Sequence, residues 1–233
     1  MSKGKTCYLS NPFQRQGAVV GLISNHILFC GGADNFDYTT DKCYELGNVK
    51  AFTTMKTARS WAASIAIKDA HSLFITGGLK VDKSILRSTE LISVETRVST
   101  SGPQLPESLT GHCMILINGT KAMVIGGVSG FGESSHTYYL NINNIDSSST
   151  WEDGPELLIK KHNHGCSQIG FSGPVIVAGG GFKRREIQIL ADWRNWKIGR
   201  YIFITVLCGS EQDLKCIYLQ WYYKVLVPLF DNS

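Results

Sequence analysis

The residues of this chain best suited to chemistry are its seven cysteines and six histidines. His162, His164 and Cys166 stand at positions i, i+2 and i+4. On a strand that spacing turns all three to one face, and zinc accepts such a set with a fourth ligand from elsewhere. Packing explains the same spacing. Cys166 shares a place with Cys113, Ser64 and Ala18, each 13 residues ahead of a glycine pair. No metal site is therefore expected. His112, His136, Tyr138 and Tyr139 offer ligands for a redox metal, but nothing in their spacing brings them together. Gly-x-Ser-x-Gly, Walker and His-Glu-x-x-His motifs are absent, as is a paired-carboxylate constellation. The expectation is a protein without catalytic residues or cofactor.

The elements that must position these side chains are organised by a repeat. Glycine pairs occur at Gly31-Gly32, Gly77-Gly78, Gly126-Gly127 and Gly179-Gly180, at steps of 46, 49 and 53 residues. Each ends a short apolar run, such as Ser72-Leu73-Phe74-Ile75-Thr76. A period of about 50 residues means an array of similar small units. Gly tolerates the positive φ and close backbone contact expected where a strand ends and the chain swings away.

Unit two reads as four strands: Trp61 to Ile67, Ser72 to Thr76, Ser88 to Glu95 and Thr96 to Thr100, with a polar loop from Leu79 to Leu86. No apolar stretch keeps a 3.6-residue period, so helix is disfavoured. A Gly-Pro-x-Leu element recurs at Gly102-Pro103-Gln104-Leu105 and Gly154-Pro155-Glu156-Leu157. Pro there suits a bend leaving an outer strand.

This pattern resembles the kelch repeat family. Tyr44, Glu90 with Leu91, and Tyr138 or Tyr139 stand near the family's third-strand position. Trp151 matches its fourth-strand Trp, and Arg59 and Lys161 match a basic residue before the first strand. Phe29-Cys30-Gly31-Gly32 with Asp41-Lys42-Cys43-Tyr44 is similar to cysteine-bearing kelch proteins of animals, as are Gly111-His112-Cys113 and His164-Gly165-Cys166. The resemblance implies an all-β kelch-type β-propeller with four-stranded blades over about 17–55, 60–101, 110–152 and 163–191. Second and third strands of a blade are antiparallel neighbours, which sets Cys30 nearly opposite Cys43. In an oxidising compartment they would form a disulfide adding roughly 2–3 kcal/mol; the alternative is a pair of buried thiols.

The chain departs from the family in blade number. Such rings usually close with about five to seven blades, and four are recognisable here, so an incomplete ring is expected. Asp192 to Trp196 reads as a candidate end to the fourth blade's outer strand, and residues 192–233 as a degenerate blade, an altered C-terminus on a truncated propeller, or a segment that completes the ring with another chain; truncation is favoured. Tyr201 to Cys208, Cys216 to Tyr223 and Lys224 to Phe230 read as strands. An open ring exposes strand edges that invite pairing.

Composition narrows the partners. A net charge of +4 is mild, and the cluster Lys183-Arg184-Arg185 reads as a solvated loop, so no nucleic-acid partner is expected. No apolar run is long enough to insert into a membrane. The first residues lack the apolar region of a signal peptide, which implies the cytosol as written and an extracellular site if the N-terminus is truncated. The loops after the glycine pairs differ in sequence and would emerge on one face, where recognition on repeat scaffolds usually resides. Phe36, Tyr38, Phe131 and Arg184 would be their aromatic and arginine anchors. The expected function is a non-catalytic scaffold binding another protein. The alternatives are a secreted module binding a glycan or surface protein, and a remnant of the copper radical oxidases, which use a kelch-type propeller.

Overall fold

The computed structural model describes residues 15–181 and 186–199. The N-terminal stretch before them, Arg184 and the strands expected beyond Gly199 lie outside the described residues. The described chain is all-β, with four antiparallel four-stranded sheets and a small hairpin. Sheet I comprises β1 (Val19–Ile23), β2 (His26–Cys30), β3 (Lys42–Glu45) and β4 (Ala51–Thr54). Sheet II comprises β5 (Ala63–Ile67), β6 (Ser72–Thr76), β7 (Thr89–Ser93) and β8 (Ser99–Ser101). Sheet III holds β9 (Cys113–Ile117), β10 (Lys121–Ile125), β13 (Thr137–Asn141) and β14 (Glu152–Asp153). The hairpin β11 (Val128–Ser129) and β12 (Gly132–Glu133) rises from its glycine loop. Sheet IV comprises β15 (His164–Gln168), β16 (Val175–Gly179), β17 (Ile187–Leu190) and β18 (Trp196–Gly199).

Several boundaries differ from the sequence reading: the first strand of sheet II starts at Ala63 rather than Trp61, and the third spans Thr89–Ser93 rather than Ser88 to Glu95. In sheet II the outer strand starts at Ser99, because Arg97 takes φ 56° and turns the chain, its N–H donating to Ser93 O. Sheet IV runs past residue 191, since β18 is its fourth strand.

The apolar residues form three cores, each between consecutive sheets. Val19, Ile23 and Leu28 of sheet I meet Leu73, Ile75 and Ile92 of sheet II. Ile65, Phe74 and Leu91 meet Met114, Val124 and Leu140 of sheet III. Ile117, Met123 and Ile125 meet Val175, Val177 and Leu190 of sheet IV. Alternate residues of a strand face opposite ways, so a middle sheet contributes to two cores. That explains the uninterrupted burial of Ser72–Thr76, whose sequence shows no polar alternation. Each fully buried Leu, Ile or Phe contributes roughly 1.5–3 kcal/mol. First strands lie beside first strands, β1 with β5, β5 with β9 and β9 with β15.

Candidate functional site

The glycine pairs make both the joints between sheets and the roots of the loops. Gly77 takes φ 59° and Gly78 takes φ 105°, conformations that L side chains resist. A side chain on Gly77 would collide with the carbonyl oxygen of Leu109, in the segment leading to the next sheet. At the second glycine of a pair the N–H donates to that same segment: Gly32 to Arg59 O, Gly78 to Leu109 O and Gly127 to Lys161 O, at 2.8, 2.8 and 2.7 Å. The loops that follow these three pairs therefore leave from the same end of the stacked sheets.

Those loops carry the anticipated anchors, except Arg184, which lies outside the described residues. Phe36 is 81% exposed, Tyr38 65% and Phe131 entirely. Val81 joins them from the second loop, half exposed. The tips are held from within. Asp34 Oδ1 accepts the N–H groups of Phe36 and Tyr38 at 2.9 and 3.0 Å. Phe131 caps the β11–β12 hairpin, where Ser129 Oγ accepts its N–H at 3.2 Å. Lys83 Nζ reaches Asp37 Oδ2 at 2.9 Å, tying the second loop to the first.

Behind the loops sits a buried ion pair. Arg59 and Glu90 are 1% and 2% exposed, with Arg59 Nη2 donating to Glu90 Oε1 at 2.6 Å. The guanidinium also donates to the carbonyls of Gly77 and Ser88, both at 2.8 Å. Glu90 accepts the backbone N–H groups of Lys56 and Thr57 at 2.6 and 3.0 Å. Burial lowers the guanidinium's affinity for its proton, and Glu90 opposes that shift. In sheet IV the same places hold Lys161 and Gln188, both wholly buried. Lys161 Nζ donates to Gly179 O at 3.0 Å, and Gln188 pairs with both backbone groups of Ile159.

A second staple joins neighbouring sheets at their outer edges. The Pro103 carbonyl accepts Thr89 Oγ1 at 2.9 Å and the indole of Trp151 at 3.3 Å. The Pro155 carbonyl accepts Thr137 Oγ1 at 2.9 Å and the indole of Trp196 at 2.8 Å. Trp196, in the segment read as a candidate end to the fourth outer strand, is thus the counterpart of Trp151.

Cys30 and Cys43 stand directly opposite on β2 and β3 and form a disulfide. A second disulfide joins Cys113 of β9 to Cys166 of β15 across the joint between sheets III and IV. It encloses 53 residues against 13 for the first, which the chain-entropy relation converts to about 4 and about 3 kcal/mol. The Cys166 sulfur is therefore engaged. His162 precedes the strand and reaches Glu133 at 2.8 Å, so the set His162, His164 and Cys166 is not assembled. Among the described residues no group of three or more His, Cys, Asp or Glu is placed to hold a metal.

The tyrosines considered for redox chemistry diverge. Tyr138 packs into the core between sheets II and III, and Tyr139 against the one between III and IV. Tyr138 shares Glu107 Oε1 with His136, at 3.1 and 3.0 Å. His112 is buried elsewhere, its Nε2 2.8 Å from Thr76 Oγ1. Burial lowers its pKa to about 3, with the charge of His164 acting in the same sense. No protein-family model matches this chain, and no curated protein matches it either.

Proposed function

We propose that this chain is part of a kelch-type β-propeller that binds another protein through the loops following its glycine pairs, without covalent chemistry. The observation that carries the reading is the row of exposed apolar tips, Phe36, Tyr38, Val81 and Phe131, on loops that share one end. Their turns are fixed by internal hydrogen bonds, so little conformational entropy is lost on binding. Aromatic anchors of this kind dominate interface energetics. The propeller reading is supported by the radial order of the sheets, first strand beside first strand. An incomplete ring is supported by the face of β1 turned from sheet II, where Val20 and Leu22 are more than half exposed.

The two disulfides favour the secreted form of this reading, because such bonds persist in oxidising compartments. The test is selection of protein ligands from a displayed library against the full chain, followed by affinity measurement on Phe36→Ser with Phe131→Ser. Binding weakens roughly 30-fold or more if these are the anchors. Val49→Ser, in the turn after β3 at the opposite end, leaves it unchanged. Ligands indifferent to the loop pair and sensitive to Val49→Ser would place recognition elsewhere.

A further inference from the structure

The opposite end of the stacked sheets, where the hairpin turns lie, carries a cavity of about 1260 Å³ that the loop-face reading does not use. It runs from the outer strand of sheet II, under the loop after β13, to the turn between β15 and β16. Its floor is apolar: Ile67, Leu91 and Ile142 line it and are themselves buried. Its rim is polar: Lys68, Asp69, Asn143 and Asn144 line it and are exposed. Phe171, three-quarters exposed, stands at the sheet IV end.

The rim is built on rigid turns. Asp146 Oδ1 accepts the N–H groups of Ser148 and Ser149 at 2.8 and 3.0 Å. Asn141 Oδ1 accepts the N–H of Asn143 at 2.9 Å, and Thr120 O accepts that of Ile142 at 3.0 Å. On the facing turn the N–H of His71 donates to Lys68 O at 3.0 Å. Gln168 Nε2 bridges Asn118 Oδ1 and Gly173 O at 3.2 and 3.1 Å. Backbone and bracing groups are thus committed, while Asn143 and Asn144 line the cavity with side-chain amides that no hydrogen bond among the described residues occupies.

We infer that this cleft binds a neutral oligosaccharide. A sugar ring has an apolar C–H face and an equator of hydroxyls that both donate and accept. An apolar floor suits the first, and Asn amides, which carry donor and acceptor together, suit the second. Lys68 is outnumbered by Asp69 and Asp146 on the rim, which therefore has no excess of positive charge to select a phosphate or sulfate. The volume exceeds the roughly 300–1000 Å³ of an ordinary small-ligand pocket, which fits several linked rings better than one.

The experiment is saturation-transfer NMR on the full chain with maltotetraose, cellotetraose, chitotetraose and mannotetraose. At least one should receive saturation. The variant pair Asn143→Ala and Asn144→Gly should weaken its binding roughly tenfold. Glycine is chosen at position 144 because the residue takes φ 57°, so the amide is removed without strain. Thermal melting verifies that the variant folds. The loop variant Phe36→Ser with Phe131→Ser should bind the sugar as the parent does, which separates this site from the proposed protein-binding face. Absence of transfer to all four sugars, an unaltered affinity in the Asn variants, or preferential binding of a sulfated heparin tetrasaccharide would each overturn the inference.

Discussion

Sheets II and IV fasten themselves to their glycine pairs at the same two places, with different chemistry. Sheet II uses a buried Arg59–Glu90 ion pair that also holds five backbone groups. Sheet IV uses Lys161, which donates to Gly179 O, and a neutral Gln188, which pairs with the backbone of Ile159. The surroundings differ in the same direction. Gly77 is pressed against the segment leading to sheet III, whereas a side chain on Gly179 meets nothing within 4 Å among the described residues. Sheet II is clamped on both faces. Among the described residues, sheet IV packs against one neighbour, sheet III.

The largest expected break in this comparison comes from Arg59→Met. It leaves Glu90 charged and buried, a loss of roughly 3–5 kcal/mol, a large part of the 5–15 kcal/mol that holds an ordinary domain together. Gln188→Leu removes neutral partners from Ile159 and should cost about 1–3 kcal/mol. Glu90→Gln, which gives sheet II the chemistry of sheet IV, should fall between the two. Urea unfolding followed by circular dichroism ranks the three. An Arg59→Met variant no less stable than Gln188→Leu would mean that the ion pair contributes no more than the amide.

A somewhat smaller effect separates the glycines. Gly77→Ala combines a left-handed backbone with a collision against Leu109 O, together about 2–5 kcal/mol. Gly179→Ala meets only the backbone penalty at φ 75°, about 1–2 kcal/mol. Parallel melts of the two variants give the difference directly. Equal losses would mean that Gly179 is packed as closely as Gly77.

The contrast also shows what the sequence reveals and what it hides. Glycine pairs are legible because a steric requirement admits one residue type, and the second strands they end fell where the apolar runs are, Ser72–Thr76 among them. Counting back to the first strands drifted, because the hairpin turns differ in length, from Ser24-Asn25 to Ile169–Pro174. The residues packed on the second glycine are Ala18, Ala62, His112 and His164, not Ala18, Ser64, Cys113 and Cys166. A one-residue slip reverses the face of a strand. Cys113 and Cys166 are therefore not equivalent: they point in opposite senses and so meet across the joint. Cys30 and Cys43 were easier, since strand pairing alone sets them opposite. Trp196 was obscured because no Pro follows it as Pro155 follows Trp151. The cavity at the turn end had no sequence signal, since its rim comes from separate loops of ordinary polar composition.

The corrected register adds the mildest difference between the two sheets, and it depends on pH. Where sheet II has Ala62, sheet IV has His164, 9% exposed. Burial lowers its pKa to about 4, and the charges of Lys161 and His162 act in the same direction. A histidine depressed in the folded state takes up its proton preferentially when unfolded. Its contribution to stability is therefore complete above the ordinary value of 6.5 and declines as the pH falls from there toward about 4. Between pH 7 and pH 5 the loss is about 2 kcal/mol. His164→Ala, which copies sheet II, sacrifices packing at pH 7 but should flatten the pH dependence by that amount, as read from urea midpoints at the two pH values. His112, the equivalent residue of sheet III, imposes the same trend and remains in the variant, so the slope should shrink by about half rather than vanish. A slope unchanged by His164→Ala would mean that His164 keeps its ordinary pKa in the folded protein.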